Sequence, residues 1–173
     1  MAETARAAKM PTTEWVEDFV GRWFAAWNSH DVERVLELMT DDIVYLDSLR
    51  AGEPMHGHEE VREFIEQFWQ GLPDYTVELV EPPLIASDSP RASFRWRGKG
   101  TNTGSFAPGV PPTGKSFEHP GADFHEYRDG KVARLQILFD KLDPLRDLGL
   151  LPDWTAVARE QMSEGGTATH DDS

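Results

Sequence analysis

Two aspartates, Asp47 and Asp123, have the residue type and the setting that chemistry requires. Asp47 ends a short strand-like run, and Asp123 lies in the middle of a later strand, between Ala122 and Phe124. An unpaired charge inside a strand is costly unless it faces a pocket or an ion-pair partner. Two carboxyls in one apolar pocket can move a proton on a carbon beside a carbonyl group. We therefore predict Asp47 and Asp123 as catalytic residues, the alternative for Asp47 being a cap on the following turn.

Further polar side chains share strand faces with these two carboxyls. Strand alternation places His119, His125 and Tyr127 on the face of Asp123, unless Pro120-Gly121 forms a bulge. We predict His125 as a second acid or base, and His119 and Tyr127 as substrate contacts. Either histidine could instead be an edge residue exposed to water. Tyr45 shares the face of Asp47, and we predict that its hydroxyl takes part in catalysis.

Large aromatic rings are frequent for a chain of this length, with six tryptophans and nine phenylalanines. Such rings form either a core or the wall of a ligand pocket. We predict that four of them contact substrate, with the plain core as the alternative: Trp23, Trp27, Phe68 and Trp96. Asp140, at the end of the last strand, is predicted as a further substrate contact or as the cap of a closing helix.

The elements that must position these residues change character halfway along the chain. The apolar spacing predicts a helix from about 13 to 27, a second that Asp31 caps, with Met39 on its inner face, and a third over about 61–69. Period-two alternation predicts strands near 43–47, 75–79, 84–86, 92–96, 117–127 and 132–139, then a short helix within 140–151. Helices followed by a sheet indicate an α+β fold. Residues 1–11 and 153–173 are predicted to be flexible ends around one domain, 12–152.

Composition excludes several classes of function. A formal net charge of −14 argues against nucleic-acid and anionic-membrane partners and makes anionic ligands less favoured. With no cysteine there is no thiolate metal site and no cysteine nucleophile. No run has the length of a signal peptide or a membrane span, so a cytoplasmic protein is expected. Neither a phosphate-binding nor a dinucleotide motif is present, so we predict chemistry without a cofactor, on a small apolar substrate. His119, Asp123 and His125 could in principle hold a metal, but the His-x-x-x-His spacing of zinc hydrolases is absent and no metal is expected.

Three segments resemble the NTF2-like superfamily, and within it the SnoaL-like polyketide cyclases and the ketosteroid isomerases. Residues 25–31 with 40–47 look like the opening of the isomerases, residues 109–117 like a Gly-Met-Pro-Pro-Thr segment of the cyclases, and 129–132 with 138–140 like the final hairpin of the superfamily. The resemblance implies a cone of three N-terminal helices packed on a curved antiparallel sheet, with a short C-terminal helix. It also implies a homodimer formed through the exposed face of the sheet.

The resemblance gives the two aspartates separate roles. The position of Asp47 is the general base of the isomerases, and that of Asp123 is their protonated oxyanion-hole aspartate. The chain departs from both relatives, because Trp23 replaces the isomerases' tyrosine and Ile137 replaces the last-strand aspartate of the cyclases. The resemblance implies an enzyme of secondary metabolism that isomerises or cyclises a polycyclic or polyketide-like ketone.

Three alternatives remain open. Asp140 with Arg95 or Arg97 could open an epoxide, as in the related limonene-epoxide hydrolases, and a dehydratase would use the same fold. A protein that only binds a small apolar molecule is the rival from another class. An open cavity that reaches both aspartates would favour the enzyme, and a filled one the binder.

Overall fold

The computed structural model of the chain describes residues 10–50, 52–105, 111–151 and 159. Its helices are α1 (Thr13–Asn28), α2 (Val32–Leu36), α3 (Gly57–Gly71) and α4 (Leu142–Asp147). Its strands are β1 (Met39–Asp47), β2 (Met55–His56), β3 (Thr76–Leu79), β4 (Leu84–Ile85), β5 (Arg91–Thr101), β6 (Ser116–Arg128) and β7 (Lys131–Phe139), with a 3-10 turn at Ser48–Arg50. Of the predicted flexible ends, only residues 10, 11 and 159 lie within the described part.

The helical first half forms as the sequence predicts. Thr12 caps α1 by accepting a hydrogen bond from the backbone N–H of Trp15 at 3.2 Å, and Asp31 caps α2 by accepting one from Glu33 at 3.1 Å. The apolar stripe of α1 is buried against the sheet, each large side chain contributing roughly 1.5–3 kcal/mol of hydrophobic stabilisation. The second helix is shorter than predicted, because Met39 begins β1 and pairs with Val132 of β7.

Seven strands form one sheet in the order β2-β1-β7-β6-β5-β3, with β4 paired to β5. The predicted α+β architecture with a curved sheet and a short closing helix is confirmed. The sheet is mixed rather than wholly antiparallel, because β1 runs parallel to β7 while the other pairings are antiparallel.

The hairpin of β6 and β7 carries the second aspartate. It turns at Asp129 and Gly130, which both have positive φ angles of 52° and 79°. Two positive φ angles give the turn whose twist matches that of adjoining strands. β6 pairs with β5 without interruption from Ser116 to Glu126, so Pro120 and Gly121 form no bulge.

One face of the sheet packs against the helices and the other is exposed. Along β6 the residues Phe117, His119, Asp123, His125 and Tyr127 are all buried, as alternation predicts. The core therefore lies between this inner face and the helices. Among the described residues, no helix has both the length and the apolar character needed to cross a bilayer.

Candidate active site

A cavity of about 470 Å³ opens between the inner face of the sheet and helices α1, α3 and α4. Its volume lies within the usual range for small-molecule sites. Most of its lining is aromatic or aliphatic, and it contains all four aromatic residues predicted to contact substrate: Trp23, Trp27, Phe68 and Trp96. Helix α4 contributes Pro144 and Leu145, which sequence analysis did not connect with the site.

Asp47 and Asp123 meet in this cavity because the sheet places them on either side of one residue. Asp47 pairs with Ile137 across the parallel β1–β7 ladder, and Asp123 pairs with Ile137 across the antiparallel β6–β7 ladder. Strands lie about 4.8 Å apart, so the two aspartate Cα atoms are roughly 10 Å apart. Both side chains line the cavity, and only 6% of Asp47 and 3% of Asp123 is exposed.

Asp123 is held by two tryptophans. The indole N–H of Trp96 donates to one carboxyl oxygen at 2.7 Å, and that of Trp23 donates to the other at 3.2 Å. Trp23 and Trp96 therefore act as more than apolar walls, because their two hydrogen bonds fix the position of the Asp123 carboxyl group.

The contact between Trp96 and Asp123 depends on Gly121. A Cβ atom at Gly121 would lie 2.3 Å from Cζ2 of Trp96, so the ring lies directly over this glycine. Gly121 pairs with Trp96 in the β5–β6 ladder and lies two residues before Asp123 on the same face. The missing side chain lets the indole lie across β6 and reach the carboxyl group.

Asp47 lies in a different environment. One of its oxygens accepts a hydrogen bond from the backbone N–H of Leu49 at 2.8 Å, so it caps the turn that follows β1 while lining the cavity. Burial raises the pKa of Asp47 to about 7; the Leu49 hydrogen bond opposes the rise, the charge of Asp123 adds to it and that of Lys141 opposes it. At neutral pH Asp47 can therefore both accept and release a proton.

Two phenols accompany the carboxyls. Burial, together with the charges of Asp47 and Asp123, raises the pKa of Tyr45 and of Tyr75 above the ordinary tyrosine value, so both keep their protons. The Tyr45 hydroxyl has no hydrogen-bond partner among the described residues. Tyr75 was not predicted as a site residue. Its hydroxyl lies over Gly98, where a Cβ atom would be 2.1 Å away, and the only sequence signal for this was a glycine in the neighbouring strand.

His119 lines the cavity, as predicted. It is packed among the rings of Trp96, Phe117 and Phe139, with ring centroids 4.8–5.3 Å away. Burial lowers the pKa of His119 to about 4, so its imidazole is neutral at pH 7. A neutral imidazole offers a substrate one donor and one acceptor.

Three predicted site residues do not belong to the lining that the described residues form: His125, Tyr127 and Asp140. His125 is buried two residues after Asp123 on the same face of β6, with its Nε2 3.5 Å from a carboxyl oxygen of Asp123. Tyr127 packs its ring against Trp15 and Phe19 of α1. Strand alternation correctly predicts the inner face of β6 for His125 and Tyr127, but α1 covers this end of the sheet.

Asp140 and the arginines of β5 do not converge. A carboxyl oxygen of Asp140 accepts a hydrogen bond from the backbone N–H of Leu142 at 2.8 Å, which matches the capping alternative. Arg95 and Arg97 lie on the outer face of the sheet, with ion pairs to Glu81 and Glu118 respectively. In the described part of the chain no group of three His, Asp or Glu residues could hold a metal ion.

The fold and a matching family model identify a protein of the NTF2-like superfamily. The chain belongs to the SnoaL-like domain family, whose model matches residues 20–135. A search of curated proteins finds no match.

Solved structures share this fold. AclR, a candidate hydroxylase from Streptomyces galilaeus, is 22% identical with a TM-score of 0.69, over 91% of this chain and all of that one. A candidate SnoaL-like polyketide cyclase from Jannaschia sp. CCS1 is 21% identical, also with a TM-score of 0.69, over 87% of this chain and all of that one. IdmH, a candidate polyketide cyclase from Streptomyces antibioticus, is 28% identical with a TM-score of 0.62, over 76% of this chain and 96% of that one.

Proposed function

We propose that this protein is a cofactor-independent acid–base enzyme that removes a proton beside the carbonyl of a polycyclic or polyketide-like ketone, and so isomerises or cyclises it. The observation that carries the proposal is the pair of buried carboxyls, in contrasting environments, that line one apolar cavity. The similarity to candidate polyketide cyclases supports the same substrate class. The cavity is open and reaches both aspartates, which favours an enzyme over the alternative of a protein that only binds a small molecule.

Asp47 is the proposed base. Only one of its oxygens accepts a hydrogen bond from a described residue, which leaves the other for the substrate. The C–H bond breaks, the proton moves to Asp47, and the electron pair forms an enolate whose charge lies on the carbonyl oxygen. A base works best when its pKa is near the working pH, and the pKa of Asp47 is raised to about 7.

The enolate oxygen needs a donor, and we assign that role to a phenol rather than to Asp123. Both carboxyl oxygens of Asp123 already accept hydrogen bonds, one from the indole N–H of Trp23 and the other from that of Trp96. Tyr45 and Tyr75 stay protonated because their pKa values are raised, and both line the cavity with Asp47. A hydroxyl aimed at the developing charge stabilises the transition state. In this proposal Asp123 is a positioning residue that orients the two indoles and raises the pKa of Asp47.

The test is hydrogen exchange on a simple ketone. The protein is incubated with α-tetralone in deuterated buffer, and loss of the proton signal beside the carbonyl is followed by NMR. We expect exchange faster than in buffer alone, and Asp47→Asn should slow it by roughly 100-fold or more. The wild-type rate should rise with pH and level off above about 7, since the ionised form of Asp47 is the base.

Asp41→Asn is the matched control, because it makes the same change at an exposed position of the same strand. It should exchange protons at the wild-type rate. An Asp47→Asn variant that is folded and as active as wild type would rule out Asp47 as the base.

A further inference from the structure

The rim of the cavity carries two cations, Arg50 and Lys141, in a chain whose formal net charge is −14. Both side chains are exposed and both line the cavity, so they lie where its interior meets solvent. No other arginine or lysine of the described residues contributes to the lining. The cavity therefore has an apolar interior with buried carboxyls and a positively charged rim.

The parallel pairing of β1 and β7 places the two cations on segments that leave the same edge of the sheet. Parallel strands end at the same edge of a sheet, so the segments that follow Asp47 and Ile137 leave side by side. Ser48 joins these segments, because its hydroxyl donates to the carbonyl of Ile137 at 3.0 Å and accepts from the N–H of Phe139 at 3.4 Å. Arg50 and Lys141 follow within a few residues on each side of this link.

Neither cation forms an ion pair with any described residue. Six other described arginines are paired with carboxylates: Arg22, Arg62, Arg95, Arg97, Arg128 and Arg146. Arg34, Arg91 and Arg134 are not, but they lie outside the lining of this cavity. The charge of Lys141 opposes the rise in the pKa of Asp47, so the ammonium group is close enough to interact with that carboxyl group. Two unpaired cations beside a small-molecule cavity leave donors free for a ligand.

We infer that the substrate carries a carboxylate, which binds between Arg50 and Lys141 while the ring system fills the apolar cavity. This deepens the proposed function, on which it rests, by making the substrate a keto acid rather than a neutral ketone. A guanidinium can hold a carboxylate through two parallel hydrogen bonds, and a nearby ammonium adds a second charge. The buried carboxyls disfavour a second anion deeper inside, so the carboxylate stays at the rim.

Binding of fluorenone derivatives to the whole chain tests this inference without any turnover. Fluorenone has no hydrogen on the carbons beside its carbonyl, so Asp47 cannot deprotonate it and affinity is measured separately from the proposed chemistry. Isothermal titration calorimetry compares fluorenone carboxylate with the neutral fluorenone carboxamide. We expect the carboxylate to bind more tightly, and added sodium chloride to weaken the carboxylate alone.

The variants Arg50→Gln and Lys141→Gln should each weaken carboxylate binding roughly three- to tenfold and leave carboxamide binding unchanged. Arg50→Lys should retain most of the affinity. Arg34→Gln and Lys99→Gln remove the same charges at exposed positions outside the cavity lining and should behave as wild type.

Three outcomes would overturn the inference. The first is equal affinity for the carboxylate and the carboxamide, and the second is an equal loss of affinity for both ligands in Arg50→Gln and Lys141→Gln. The third is tighter binding of fluorenyl phosphate than of the carboxylate, which would reject a keto acid. A failure of α-tetralone exchange, by contrast, would remove the proposed chemistry and leave these binding results in place.

Discussion

Asp47 and Asp123 show how surroundings distinguish two side chains of the same type. Both flank Ile137 in the sheet and both are almost fully buried. Asp123 accepts hydrogen bonds from two indoles, whereas Asp47 accepts one from a backbone N–H and has a pKa raised to about 7. Asp47 therefore keeps one oxygen without a described hydrogen-bond partner and has a pKa suited to proton transfer, whereas both oxygens of Asp123 are occupied by the indoles.

The raised pKa of Asp47 predicts a pH-dependent cost in stability. The unfolded chain releases this proton near pH 3.9 and the folded chain near pH 7, so between these values the folded state binds more protons and loses stability as the pH rises. Asp47→Asn removes this effect. The stability of the variant relative to wild type should therefore increase by roughly 4 kcal/mol from pH 4 to pH 8, as measured by urea unfolding.

Asp41→Asn again supplies the comparison, since Asp41 is exposed on β1. Its difference from wild type should stay nearly constant over this pH range. A constant difference for Asp47→Asn as well would mean that Asp47 has a similar pKa in the folded and unfolded chain, and that it is not a suitable base near pH 7.

For single residues, the sequence predicts which face of a strand a side chain occupies but not which element packs over that face. Alternation and residue type brought Asp47, Asp123 and Tyr45 to the cavity. The same rule placed His125 and Tyr127 on the correct face of β6, but α1 packs over them. Which residues of the sheet a helix covers depends on how the helix crosses the sheet, and the periodicity of one strand does not predict that crossing.

The pairing of β5 with β6 shows what an element contributes to the site. Its register places Gly121 opposite Trp96, and the indole crosses β6 at that glycine to reach Asp123. Gly121→Ala should displace the ring and break its 2.7 Å hydrogen bond, at a cost of roughly 2–4 kcal/mol. Urea unfolding measures the loss, and NMR of the Trp96 indole N–H should show a shifted resonance.

Gly21→Ala is the matched control for this change. A Cβ atom at Gly21 meets nothing within 4 Å, and the residue lies in the exposed face of α1. The variant should gain roughly 0.5–1 kcal/mol, because alanine favours a helix over glycine. If Gly121→Ala were equally harmless and the indole resonance unmoved, the close approach of Trp96 would not hold Asp123.

Element types were predicted more successfully than element partners. The spacing of α1 and the Asp-Gly turn between β6 and β7 are local signals, and both are confirmed. The parallel pairing of β1 with β7 joins residues about ninety positions apart, for which no local pattern exists. That pairing places Asp47 beside Ile137, and the segments that carry Arg50 and Lys141 follow at the same edge of the sheet. The sequence therefore did not predict Arg50 and Lys141 as site residues, although they lie within three residues of Asp47 and Asp140.

The whole molecule presents an apolar area on the outer face of its sheet. Leu84 and Phe124 lie in one row across the strands, and Leu138 lies in the next. Their exposed fractions are 72%, 44% and 46%. Apolar residues that are contiguous on a surface favour association. The resemblance to the superfamily implies a homodimer through this face, and that stays a prediction.

In analytical ultracentrifugation at micromolar concentration, we expect a species with twice the mass of the 19.5 kDa chain. The double variant Phe124→Lys and Leu138→Lys should sediment as a monomer, because two ammonium groups on each copy would face an apolar partner surface and lose water on association. Lysine makes the net charge less negative, so dissociation would not come from added repulsion between acidic chains. Leu142→Lys changes a residue that is 59% exposed on α4, which packs on the opposite, inner side of the sheet, and should stay dimeric. A wild-type chain that sediments as a monomer, or a double variant that stays dimeric, would contradict pairing through this face.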